Sequence, residues 1–269
     1  MIGLFLGSTD FPKLILNKIK KKKRKYFIID LTTNNIFKRD KNCYSVSIGK
    51  FGQILKLINE KECKKVLFAG KIDKPKFSNL KLDMRGIYYI PRVIKASKLG
   101  DAAVLKELIK ILAENKIKVI RSNFFNPELT LSKGNYCKVK PSKFDLINIK
   151  KGIISLKKLN ALNHVQGLVV RNNSIIIKET LKGTKKMLQS IKKVKNYQGI
   201  LIKFPKKKQD IRTDLPTIGL DTLKDCKKAD IKGIVLKAKQ NVFIDKKKSI
   251  TFANKNKIFI TVKWKRYLC

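Results

Sequence analysis

Short apolar runs alternate with amphipathic stretches through the first 122 residues. Ile2–Leu6, Tyr26–Ile29, Val66–Ala69 and Ile117–Ile120 read as buried strands, and Tyr44–Ile48 alternates as a further one. Between them, Leu14, Ile15 and Ile19 share a helical face, as do Phe51, Ile54, Leu55 and Ile58. Ile87–Ile94 and Ala102–Leu112 are also predicted helices, with Asp101 as the expected N-cap of the second. Strand and helix in strict alternation predict a parallel sheet covered by helices. The first strand runs into Gly7-Ser8-Thr9 and then a helix, the opening of a Rossmann-like unit, although two glycines fall short of a dinucleotide fingerprint.

The pattern changes after residue 122. Residues 131–141 are polar and read as a linker, dividing an N-terminal domain, 1–130, from a C-terminal domain, 142–269. Phe144–Leu159 is a predicted helix, and Val165–Val170 with Ile175–Lys178 a hairpin closed by Arg171-Asn172-Asn173-Ser174. Gly183-Thr184 opens a helix through Met187, Leu188 and Ile191, and a further helix over Asp221–Ala229 is expected to be capped by Asp221-Thr222. Gly199–Ile202, Gly233–Lys237, Val242–Ile244 and Ile258–Val262 complete the strands. The fold class is α/β in two domains, the first a Rossmann-like parallel sheet.

Composition narrows the chemistry. The formal net charge is +45, from 64 basic and 19 acidic residues. An anionic membrane surface and nucleic acid are both candidate partners for such a chain. Lysine, however, is spread over the whole length alongside Ile and Asn, and arginine, the better reader of phosphates and bases, is scarce; compositional drift is the preferred explanation. The five cysteines are dispersed, with no C-x-x-C, and His164 is the one histidine. Disulfide frameworks, zinc knuckles and histidine-based triads are therefore not expected, and a reducing, cytoplasmic compartment is. No run is long and apolar enough to span a bilayer.

One stretch concentrates both signs of charge. Lys203 to Gly219 follows a buried strand, is stiffened by Pro205 and Pro216, and sets Asp210 and Asp214 among Lys203, Lys206, Lys207, Lys208 and Arg212. Carboxylates for a hard cation and cations for phosphates are what a metal–phosphate site needs, while a solvated basic loop would look the same. Lys71, after the strand ending at Ala69, is a further candidate phosphate contact.

The pattern Q-x-x-R-x-D-L-P-x-I-G, carried by Gln209, Arg212, Asp214, Leu215, Pro216, Ile218 and Gly219, resembles the signature of the Mg²⁺-dependent UDP-2,3-diacylglucosamine pyrophosphatase family of alphaproteobacteria and other lineages. Similar segments follow in the family's order along nearly the whole chain: Gly3–Pro12, Phe68–Lys71, Gly100–Lys106, Pro141–Asp145, Val165–Val170, Glu179–Thr184 and the K-F-P at Lys203. The chain departs from the family pattern at Ala102 and Lys74. The resemblance implies hydrolysis of UDP-2,3-diacylglucosamine to UMP and 2,3-diacylglucosamine 1-phosphate (lipid X) on the route to lipid A, with Mg²⁺ as cofactor and water attacking the phosphorus next to the sugar. It makes Asp214 the catalytic residue and a metal ligand. Gly7, Ser8, Thr9, Lys71, Gln166, Glu179, Gly183, Thr184, Lys203, Gln209 and Arg212 become the expected substrate contacts. Peripheral contact with the inner membrane and a homodimer are both compatible with it; nucleic acid is not an expected partner. A basic nucleic-acid-binding protein and a non-catalytic nucleotide-sugar binding protein are the alternatives.

Overall fold

The computed structural model describes residues 1–32, 34–70, 80–159, 165–192, 194, 198–206, 210–213 and 215–263. The chain forms two compact units: Met1–Pro127 with Asp210–Asp214, and Glu128–Gln209 with Leu215–Cys269.

In the first unit, β1 (Ile2–Leu6), β2 (Tyr26–Asp30), β3 (Cys43–Ser45), β4 (Lys65–Ala69) and β5 (Lys118–Val119) form a parallel sheet in the order β3-β2-β1-β4-β5. That order reverses direction between β1 and β4, where doubly wound sheets open a crevice beyond the strand C-termini. Among the described residues, α1 (Asp10–Lys21), α2 (Phe51–Glu60), α3 (Met84–Ser97) and α4 (Asp101–Glu114) accompany it. Phe27, Ile29, Ile54, Ile58, Val66, Phe68 and Ile111 meet in one core, and Phe5 stacks on Phe68 with centroids 4.7 Å apart. Gly3 is required by close approach, because a Cβ there would lie 2.9 Å from both Phe27 and Val66. The N-cap of α4 is Gly100, not the expected Asp101; at φ 103° the position admits glycine with little strain.

In the second unit, β6 (Gly134–Asn135), β7 (Gly167–Arg171), β8 (Ser174–Lys178), β9 (Gly199–Lys203), β11 (Ile231–Lys237) and β13 (Phe259–Lys263) form a mixed sheet in the order β6-β13-β11-β9-β7-β8. The stretch expected as a linker, 131–141, instead contributes β6, antiparallel to β13, and buries Leu131 and Cys137 in the core. The β7–β8 hairpin turns at Asn172 and Asn173, both at positive φ, as a type I′ turn demands. β7 and β9 are buried along their full length, which explains the apolar runs Leu168–Val170 and Ile200–Ile202 that precede the buried Arg171 and Lys203. A short parallel pair, β10 (Thr217–Ile218) with β12 (Val242–Phe243), stands apart from the main sheet.

The helices of this unit are α5 (Lys143–Leu159), α6 (Gly183–Gln189), α7 (Leu220–Lys228) and α8 (Lys246–Lys255). The α7 N-cap is the extended Gly219; Asp221 lies in the first turn, where its charge faces the positive helix end but makes no cap bond. Ile149, Ile153 and Leu156 of α5 pack with Leu168, Val170 and Ile202 of the sheet. The helix starts in a reciprocal capping arrangement: Asp145 accepts from Ser142 N (3.0 Å) and Oγ (2.8 Å), and the Asp145 amide donates to Ser142 Oγ (3.2 Å).

Asp145 also accepts Lys232 Nζ from β11 at 2.7 Å. Burial pushes its carboxyl up, but the bonds from Lys232 and Ser142 outweigh that and hold it below the ordinary 3.8. A depressed carboxyl contributes stability above its unfolded pKa and loses it as the pH falls. Urea midpoints are therefore expected to drop below about pH 4, with a shallower acid slope in Asp145→Asn. Equal slopes would contradict this account.

Candidate functional site

The C-terminal end of β9 brings a buried charged pair into the second unit's interior. Lys203 and Glu179 are each 5% exposed. Lys203 Nζ donates to Glu179 Oε1 at 3.3 Å and Oε2 at 3.5 Å, and also to Thr184 Oγ1. Thr184 Oγ1 in turn donates to Glu179 Oε1 at 2.7 Å. Register explains the meeting. Gly167 on β7 pairs with Lys203, and its carbonyl accepts from the Glu179 amide at 2.8 Å. A Cβ on Gly167 would lie 3.1 Å from Glu179 Oε2, so the glycine leaves room for the carboxylate. Thr184 sits in the first turn of α6, which starts at Gly183 with φ 80°.

The strand end is tied down as well. Asn241 Nδ2 donates to the Lys203 carbonyl at 3.1 Å, while its Oδ1 accepts from the Lys237 amide at 2.9 Å. The Phe204 amide donates to the Gln166 carbonyl at 2.9 Å. Lys203 is thus buried and ion-paired at the root of the signature loop. A buried charge keeps such partners because losing one is costly.

The first unit carries the other elements. Gly7 donates its amide to the Ala69 carbonyl at 2.8 Å, closing the turn beside β4. Thr9 caps α1 at φ 113° and ψ 171°, a conformation that L-residues occupy only under strain. Ser8 lies between them. Asp30, at the end of β2, is satisfied by its own loop through Thr32 N, Thr32 Oγ1 and Phe37 N.

Asp210 has a definite role here that the sequence left open. It grips the Arg212 guanidinium in a two-point pair, Nε to Oδ1 at 2.9 Å and Nη2 to Oδ2 at 2.6 Å, and accepts the Arg212 amide at 2.9 Å. Those bonds hold the Asp210 carboxyl below, and the Arg212 guanidinium above, their ordinary ranges. The Arg212 carbonyl accepts from the Ser122 amide at 2.8 Å, seating the segment on the first unit.

Lys71, Gln209 and Asp214 lie outside the described residues. Of the expected contacts, Glu179, Thr184 and Lys203 touch directly, with Gln166 and Gly183 beside them; Gly7, Ser8 and Thr9 form a separate turn, and Arg212 belongs with Asp210. Gly167 and Asn241 were not singled out from the sequence as site residues, and Asp210 was noted there as one of two acids without a role of its own. Gly167 sits within the V-Q-G-L-V-V segment, and Asp210 two positions before Arg212 was a legible pairing; Asn241 carried no signal. Among the described residues no cluster of three His, Cys, Asp or Glu side chains could hold a metal.

A doubly wound parallel sheet joined to a mixed-sheet unit with a buried Lys–Glu–Thr cluster defines a two-domain α/β protein. Residues 1–129 match the LpxI N-terminal domain and residues 132–261 the LpxI C-terminal domain, so the chain belongs to the LpxI family. It is 30% identical over 223 residues to the UDP-2,3-diacylglucosamine pyrophosphatase LpxI of Caulobacter vibrioides, an alignment covering 80% of each chain.

Proposed function

We propose that the protein hydrolyses the pyrophosphate bond of UDP-2,3-diacylglucosamine, giving UMP and 2,3-diacylglucosamine 1-phosphate in lipid A biosynthesis. The observation that carries this reading is the similarity, spanning both domains, to a pyrophosphatase of that name. Water adds to the phosphorus on the sugar side, the bond from that phosphorus to the bridging oxygen breaks, and UMP leaves with the bridging oxygen.

In this reading the Lys203–Glu179–Thr184 cluster fixes the strand end from which the signature loop departs. Arg212, oriented by Asp210, meets phosphate charge, and Asp214 orients the water. The Gly7–Thr9 turn, Lys71, Gln166, Gly183 and Gln209 make the remaining polar contacts. Glu179 is engaged by Lys203 and Asp210 by Arg212. Mg²⁺ would depend on Asp214 and on substrate oxygens, a common way of holding this ion, and would offset phosphate charge. The protein would meet its amphiphilic substrate as a peripheral protein at a membrane; among the described residues no helix is long and apolar enough to cross one.

The test is UMP release from UDP-2,3-diacylglucosamine in detergent micelles, with Mg²⁺ or with EDTA, in ¹⁸O-labelled water. Label in the sugar phosphate and loss of turnover in EDTA are expected. Binding of the substrate without UMP release would instead make this a nucleotide-sugar binding protein.

A further inference from the structure

Helix α5 is apolar on two sides. Its inner face buries Ile149, Ile153 and Leu156 against the sheet. Its outer face exposes Phe144 (48%), Ile147 (54%) and Ile154 (44%), which the unit's own core does not use. Lys143, Lys150, Lys151, Lys157 and Lys158 are all exposed on the same helix. At about 100° per residue, Ile147 and Ile154 fall at the centre of the outer face. Lys151 and Lys158 flank them on one side, and Lys143, Lys150 and Lys157 on the other. The helix's one acid, Asp145, points inward to Lys232.

We propose that this outer face of α5 docks the protein on an anionic lipid bilayer. Apolar side chains at the centre would enter the headgroup boundary while the flanking lysines extend their stems along it and keep their charges among the headgroups. Charge decides the occupant: a second copy would set five lysines against five, whereas anionic lipid complements them. Nucleic acid would also satisfy the lysines, but a phosphate backbone has no use for Phe144, Ile147 and Ile154. The inference rests on the reading of the protein as acting on a membrane amphiphile, and assigns the face through which it does so.

The test is co-sedimentation with vesicles of phosphatidylethanolamine and phosphatidylglycerol, against phosphatidylcholine alone. Wild type is expected on the anionic vesicles only. Lys150→Glu/Lys151→Glu and Ile147→Ser/Ile154→Ser should each weaken that binding by about tenfold or more. A matched reversal of two exposed lysines in the first unit, Lys21→Glu/Lys22→Glu, should weaken it by less than about threefold. UMP release in micelles should be unchanged in all of them, and its absence in wild type would count against the hydrolase reading alone. The docking assignment is overturned if wild type ignores anionic vesicles, if the control pair weakens binding as much as the α5 pair, or if the serine pair binds like wild type. It is equally overturned if the α5 variants dissociate a dimer or lose duplex DNA while keeping vesicle affinity.

Discussion

Lys203→Met should destabilise the second unit by about 3–5 kcal/mol, the range found when one partner of a buried ion pair is removed. Methionine retains most of the apolar stem, so the loss isolates the ammonium. Glu179 would be left 5% exposed with Thr184 as its remaining hydroxyl partner in the cluster. Adding Glu179→Gln should recover part of the loss, because the glutamine carries no charge to strand. The two single effects should therefore fail to add, with a coupling of about 1 kcal/mol or more in urea unfolding of the four proteins of the cycle. Additive effects would mean that the pair contributes little and that Lys203 is held by its other bonds. Activity separates anchor from substrate contact. An anchor lowers kcat in the single variant and regains some of it in the double, whereas a direct phosphate contact stays lost in both.

Asp214→Ala is expected to reduce kcat by about 10²–10³-fold, the size typical of removing one group that meets developing charge. Affinity for UDP-2,3-diacylglucosamine should stay within a few-fold, because the cations that meet its phosphates remain. Turnover within a few-fold of wild type would remove Asp214 from the chemistry. The expectation comes from the Q-x-x-R-x-D-L-P-x-I-G resemblance and from exclusion: of the two acids in this stretch, Asp210 is committed to Arg212.

Much of the sheet was legible because buried strands leave unbroken apolar runs: β1, β2, β4, β7 and β9 all stand where Ile, Leu, Val and Phe cluster. The hairpin was legible from Asn172-Asn173, which tolerate positive φ. α8 was not, because it buries only Ser249 and Ala253, and small residues behind Lys246-Lys247-Lys248 make no apolar stripe. β6 was hidden for a related reason: a two-residue edge strand at a glycine has too few positions to show a period. Both acidic caps failed because a glycine, one position before Asp101 and two before Asp221, took the role.

For the site, residue types were readable and partnerships were not. That Glu179 meets Lys203 depends on β7 lying between β8 and β9 and on Gly167 pairing with Lys203, which only strand order and register decide. The same holds for Asn241, placed by the turn after β11.

Asp210–Asp214 belongs to the first unit although the chain has by then passed β6, β7, β8 and β9 of the second unit. During synthesis the first unit therefore leaves the ribosome incomplete and waits for a segment made much later. Ser122 gains its Arg212 partner only after β7, β8 and β9 have emerged. A gene fragment ending at Pro127 would encode the first unit's sheet without that segment.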